Sequence, residues 1–382
     1  MKTRRSIDYS PHSSNAAARH ADNIGLLDNT QLISRSAWDA YQSRDYEVCD
    51  ALLARYEARR PLPTELLTLR GQSLMAQGRM DEAVQTLQVA AATGSDPTVS
   101  YQLACAHARL GCHEQVLVLV DEETMRDVPK AIPLKMLALH RLGRLDDAIE
   151  LGMDTQTHAV LAQEIRGLLA NLLIDADRCS EARTFARFAQ GTADGCTAEG
   201  LLALDALNLR QALMSFRQAV SYNPRSGRAW LGEGLCQLGL ENHRAATTCF
   251  DEATTLLVRD AGVWTVAAWV HLLNQGISQA RTRFERARHV DNGFAEAHGG
   301  LAIICLYEGN IDDAGVHAEQ ALQLNRNCLA GALARSILLA RMGDFPAAQR
   351  VRESMALHPL GRDGLSIAKG LARRAMRHAY PC

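Results

Sequence analysis

One short pattern of small and apolar residues returns along this chain at a fixed distance. Ala212/Phe216/Ala219, Ala246/Phe250/Ala253, Ala280/Phe284/Ala287 and Ala314/Ala318/Ala321 follow one another at a constant step, their first members at positions 212, 246, 280 and 314. Ala83/Leu87/Ala90 has the same form earlier in the chain. Offsets of four and then three put the members of each triplet on one face of a helix. Self-similarity at this period is the signature of stacked supersecondary units rather than of one globular core.

Carried in both directions, the frame gives ten units. They start near residues 30, 64, 97, 129, 163, 193, 227, 261, 295 and 329, at spacings of 30 to 34. Each unit reads as two helices joined by a short Gly- or Asp-containing turn, as in QGRMD, RLGRLDD, EGNIDD and RMGDFP. A helix of about 14 residues that buries one face is marginal alone. An antiparallel pair stacked on the next pair is not. Small residues such as Gly71, Gly234 and Ala302 let the helices approach closely.

Trp230 with Gly234 and Trp264 with Ala268 occupy matching places in their first helices, and Leu67 with Gly71 follows more loosely. Pro61, Pro224 and Pro97 fall where one unit closes and the next begins. In these features residues 30–360 resemble the tetratricopeptide repeat family. The resemblance implies an all-α, right-handed superhelical solenoid of about ten helical hairpins with a C-terminal capping helix. It also implies that the first helices line a concave wall and that the protein binds other proteins.

The organisation expected is a polar, disordered tail (1–28), an N-terminal array of degenerate repeats (29–192), a better-matching C-terminal array (193–360), and a capping helix and tail (361–382). The third, fourth and tenth units lack the second-helix aromatic, carrying Val120, Gly152 and Arg352 in its place. The fourth is the weakest, its second helix LDDAIELGMD short and interrupted by Gly152. GTADGCTAEG (191–200) is the most loop-like text inside the array and the best candidate for a hinge between its halves.

Composition narrows function by exclusion. The net charge is −2, which gives no support to nucleic-acid binding. No run of 18 apolar residues is present and the N-terminus lacks an apolar signal core, so no membrane insertion is expected and a cytoplasmic location follows. The ten cysteines form no C-x-x-C pair and read as small buried residues of a reducing compartment. Cys105, His107, Cys112 and His113 cluster, but Cys105 and His107 point to opposite sides of a helix, so packing is preferred to a metal site. No catalytic or phosphate-binding motif is present, so no catalysis and no cofactor are expected. The basic runs MKTRR, RTRFERARH and RRAMRH are read as solvated faces.

With the frame fixed, the residues of the inner wall can be named. The N-terminal half gives a mixed list that includes Thr68, Gln72, Tyr101, His140 and Asn171. The C-terminal half gives Leu231, Leu235, Leu238, Thr265, Trp269, Leu272, Ile303, Leu306, Leu333 and Ile337. An apolar stripe on a wall facing a groove suggests an interaction site. The reading is an adaptor or chaperone-like protein that clasps an apolar or amphipathic segment of a partner. The resemblance extends to bacterial proteins that hold secretion substrates or complex subunits, and homo-oligomers are compatible with it. Three alternatives stay open for the stripe: a frame shifted by one residue, a superhelix tight enough to bury it, or occupancy by the chain's own N-terminal tail. A carboxylate-gripping clamp, known in some family members, is not expected, since only Asn171 and Arg109 come near its positions. The alternative function is a regulatory sensor whose superhelix changes shape on ligand binding, with 191–200 as hinge.

Overall fold

The computed structural model describes residues 30–94, 96–157 and 161–356. Among the described residues there are 21 helices and no strand. The expected tail (1–28) and capping helix (361–382) lie outside them. The chain divides into two compact units, residues 1–148 and 149–382.

In the first unit the hairpins are α1 (Thr30–Gln42) with α2 (Tyr46–Glu57), and α3 (Thr64–Ala76) with α4 (Met80–Ala92). The third repeat has α5 (Pro97–Leu110) followed by two short helices, α6 (His113–Leu119) and α7 (Glu122–Asp127). The fourth supplies α8 (Ala131–Arg141) and α9 (Leu145–Thr155), and the border between the units falls within α9.

The second unit continues with α10 (Ala162–Asp175) and α11 (Cys179–Phe188), α12 (Ala193–Asp205) and α13 (Leu209–Tyr222), and α14 (Gly227–Gly239) and α15 (His243–Leu256). Three further pairs complete it: α16 (Ala261–Leu273) and α17 (Ile277–Val290), α18 (Ala295–Glu308) and α19 (Ile311–Leu324), α20 (Leu329–Arg341) and α21 (Phe345–Ala356). Every first helix begins at or close beside the start expected from the repeat frame.

Local chemistry explains why the helices start and stop on schedule. Thr192, Asn208, Ser226, Asp260 and Asn310 each accept a hydrogen bond from a backbone N–H in the first turn, capping α12, α13, α14, α16 and α19. Inside each repeat the turn contains one residue with φ between 58° and 85°: Arg44, Gly78, Gly111, Gly143, Asp177, Leu207, Glu241, Gln275, Gly309 and Gly343. The left-handed residue breaks the first helix and reverses the chain. Between repeats, Asn223, Asp291 and Asn325 each accept from the backbone N–H of Arg225, Gly293 and Asn327, which shapes the link to the next first helix.

The triplets form the core of the second unit. Phe216, Phe250 and Phe284 are fully enclosed, as are the alanines on either side. Each ring lies against a glycine on a neighbouring first helix. A Cβ on Gly200 would stand 2.8 Å from the Phe216 ring, and one on Gly234 would stand 3.0 Å from Phe250. Gly232 and Gly300 would overlap the Phe216 and Phe284 rings outright. In the first unit Gly71 faces Leu87 in the same way.

Two segments differ from expectation. Residues 191–200 are not a loop: α12 starts at Ala193, capped by Thr192 Oγ1 accepting from Gly195 N at 3.0 Å. Their glycines serve contact rather than flexibility, Gly195 against the Ala189 carbonyl and Gly200 against Phe216. The hinge expected in this text, between the arrays 29–192 and 193–360, is therefore a helix start inside the second unit. In the third repeat the second helix breaks at Val120, which is non-helical at φ −97° and ψ 76°. Asp121 then caps α7 by accepting from Thr124 N at 2.8 Å.

Candidate functional site

The inner-wall stripe of the second unit separates into a closed part and an open part. Leu231, Leu235 and Leu238 on α14 are buried, and so is Thr265 on α16, whose hydroxyl donates to the Ala261 carbonyl at 2.8 Å. These four do not line an opening. The reason is position: α14 packs against α12, α13 and α15, which leaves no free face along Gly227–Leu238 apart from Trp230.

Buried polar ties lie beside this closed stretch. Arg228 at the start of α14 donates through both terminal nitrogens to Asp175 at the end of α10, at 3.1 and 2.6 Å, with the two side chains 3% and 4% exposed. The pair spans repeat six, joining repeats five and seven. Asn171 donates to the carbonyls of Gly167 and Asp194 at 3.0 and 2.9 Å. Burial pushes the Asp194 carboxyl above the usual carboxylate range, opposed in part by Arg228. Arg109 in the first unit donates to the Met75 carbonyl at 2.9 Å. Both residues nearest to clamp positions are thus engaged in holding the fold.

The other six residues expected in the groove do come together. Trp269, Leu272, Ile303, Leu306, Leu333 and Ile337 line one cavity of about 290 Å³ with Leu273, Tyr307 and Arg341. The geometry is the repeat itself. Trp269, Ile303 and Ile337 occupy one slot of α16, α18 and α20, and Leu273, Tyr307 and Arg341 occupy the slot one turn further on. A reading of the frame that ends at the third inner position of each helix misses this last slot. The repeat spacing is the signal that marks it, since Leu273, Tyr307 and Arg341 stand to one another as Trp269, Ile303 and Ile337 do.

Trp269 forms the buried floor, 2% exposed, its ring meeting Phe284 edge-to-face at 5.7 Å. Trp230 and Trp264 each donate their indole N–H to a carbonyl before their own helix, Pro224 and Val258, at 2.9 Å. The Trp269 N–H has no acceptor among the described residues. Leu272, Leu273, Leu333 and Ile337 are half-buried, and Tyr307 and Arg341 are exposed at the rim.

A second hollow of about 460 Å³ adjoins the first at Leu273, which lines both. Its other walls are Arg244, Thr247, Thr248, Asn274 and Gln275. Asn274 is held by donating to the His243 carbonyl at 3.1 Å and to Thr247 Oγ1 at 2.6 Å. An apolar cavity thus opens beside a polar one. Among the described residues no group of three or more His, Cys, Asp or Glu side chains could hold a metal ion. None of their helices is long and apolar enough to cross a membrane.

An open apolar cavity on stacked helical hairpins defines a repeat scaffold of the kind that mediates protein–protein interaction. Residues 35–97 and 197–256 match the family model described as Tetratricopeptide repeat. These two segments are tetratricopeptide repeats, one in each unit, and the same helical hairpin recurs from Thr30 to Ala356. It is 29% identical over 133 residues to the BBSome complex member BBS4 of Xenopus tropicalis, a match covering 35% of this chain and 26% of that protein. The chain thus matches about a quarter of that relative's length. Among solved structures, it resembles Pseudomonas aeruginosa PilF at a TM-score of 0.44 and 17% identity, over 55% of this chain and 97% of that one. It also resembles a chain of the APC/C hetero-tetramer Cut9–Hcn1 at a TM-score of 0.41 and 12% identity, over 92% and 91% of the two chains.

Proposed function

We propose that this chain is a non-catalytic, cytoplasmic adaptor or chaperone-like protein, and that the groove of repeats eight to ten holds an apolar or amphipathic segment of another protein. One observation carries the reading. Three successive first helices present the same slots around an apolar cavity that is open, whereas the corresponding wall on α14 is shut. Cavities of this size lined by large apolar side chains with a few polar groups at the rim are ordinary binding sites. Bulky side chains projecting at helical spacing from a partner segment fit such a row of slots. The relative matched over part of its length is itself named as a member of a complex, which is in keeping with a partner-holding role.

The test uses the half-buried wall and leaves the floor intact, because removing Trp269 would also undercut Phe284. A fluorescent amphipathic peptide with leucines at helical spacing and glutamines elsewhere serves as probe. Leu333→Glu combined with Ile337→Glu is expected to weaken its binding to the full chain by tenfold or more, on the order of the burial of two large side chains. Undiminished binding by this variant, with its helical circular dichroism and melting unchanged, overturns the reading.

A further inference from the structure

We propose that the segment held in this groove is acidic: its apolar face fills the Trp269 cavity, and its carboxylates meet Arg341 at one end and Arg244 at the other. The proposal rests on the groove reading above and adds the charge of the ligand.

The two hollows share Leu273 as a lining residue, and the proposed occupant runs from the apolar cavity past this side chain onto the polar shelf. The charged residues lining them are Arg341 and Arg244, and no carboxylate lines either. Both guanidiniums are exposed and lack a carboxylate partner among the described residues. Four other arginines of the same unit are instead tied to carboxylates of the fold. Arg217 pairs with Glu233, Arg228 with Asp175, Arg281 with Glu308 and Arg283 with Asp251. Thr247, Thr248, Asn274 and Gln275 offer further hydrogen bonds beside Arg244. Guanidinium–carboxylate contacts are the strongest that such a rim can make, and they govern the choice of partner and the salt dependence more than the total affinity.

The same charge argues against occupancy by the chain's own ends. Residues 357–382 carry Arg362, Lys369, Arg373, Arg374 and Arg377 against the single Asp363. Residues 1–29 carry Lys2, Arg4, Arg5 and Arg19 against Asp8, Asp22 and Asp28. Neither offers a net negative charge to Arg244 and Arg341.

Three labelled helical peptides of about five turns, identical in their leucines and differing only in Glu, Gln or Lys at the polar positions, separate the outcomes by fluorescence anisotropy on the full chain. The Glu peptide is expected to bind about tenfold tighter than the Gln peptide, with the Lys peptide weakest. High salt is expected to erase the order. Arg244→Gln with Arg341→Gln should abolish the charge preference, bringing the Glu peptide down to the level of the Gln peptide on the same variant. Equal affinities, or a Glu preference that survives the double variant, overturn the acidic assignment. The groove then still stands if Leu333→Glu with Ile337→Glu abolishes Gln-peptide binding. Tightest binding of the Lys peptide, or of a peptide of residues 361–382, also overturns the assignment and makes a basic segment the occupant. Failure of all three to bind removes the groove reading and the charge assignment together.

Discussion

Repeat three and repeat six carry the same frame, and only one of them forms an unbroken second helix. In repeat six, α13 runs 14 residues, and Phe216 seats its ring against Gly200 on one side and Gly232 on the other. In repeat three the same position is Val120. It is equally buried, yet the helix stops at Leu119 and restarts at Glu122. The difference lies in what the neighbouring first helices place opposite each side chain. Phe216 has a glycine before it and a glycine after it, whereas the matching places around Val120 are Ala104 and Met136. A large flat ring facing bare backbone holds three helices in one register. A β-branched side chain between larger neighbours has no such seat, and Asp121 offers the backbone a competing cap.

The largest expected effect tests this contrast directly. Phe216→Ala empties a seat shared by two glycine-faced helices and should cost about 3–5 kcal/mol. Val120→Ala removes less volume from a helix already broken, and should cost about 2 kcal/mol. Urea unfolding followed by far-ultraviolet circular dichroism measures both. Equal losses would show that the ring–glycine seat is not what distinguishes the two repeats.

A medium effect concerns the closed wall of repeats five to seven. Asp194 is a carboxyl whose proton affinity is raised by burial, only partly opposed by Arg228. A group with a raised folded-state pKa stabilises the fold below its unfolded pKa, and that contribution is lost as pH rises through the folded value. Asp194→Asn mimics the protonated form. It should therefore raise the melting temperature at neutral pH, on the order of a few degrees, and the gain should vanish as the pH falls below the ordinary carboxylate range. A gain that is constant with pH would mean that packing, not charge, sets this site.

The repeat frame is readable because burial of one helix face puts small and apolar residues into fixed places, most regularly from Ala212 to Ala321. It locates all ten first helices. It fails wherever a residue type has two physical uses. The glycines of 191–200 suggest flexibility on composition, although Gly200 stands before Phe216 in the same relation as Gly234 before Phe250. The break at Val120 is announced by Asp121-Glu122-Glu123, an N-cap followed by acidic first-turn residues. The groove is half legible. Slot spacing puts Trp269, Ile303 and Ile337 together, but whether a wall is open depends on how neighbouring helices close over it. That is a property of packing between repeats, and Leu231, Leu235 and Leu238 carry no local mark of it.

The smallest effect concerns the turns, where both units follow one rule with different residues. Each turn needs one left-handed residue. Gly309 meets the requirement at φ 82°, while Leu207 meets it at φ 58° with a side chain 75% exposed. A non-glycine in that region costs roughly 1–2 kcal/mol per residue, while glycine gives back about 0.5–1 kcal/mol through the greater freedom of its unfolded chain. Leu207→Gly should therefore stabilise the chain by a few tenths to about 1 kcal/mol. Gly309→Ala, which meets no neighbouring atom within 4 Å, should destabilise it by a similar amount through backbone strain alone. Paired thermal melts read both signs. If the two substitutions move stability in the same direction, the left-handed residue is not the element that fixes the turn. The constant phase of these ten positions would then follow from helix packing on either side of them.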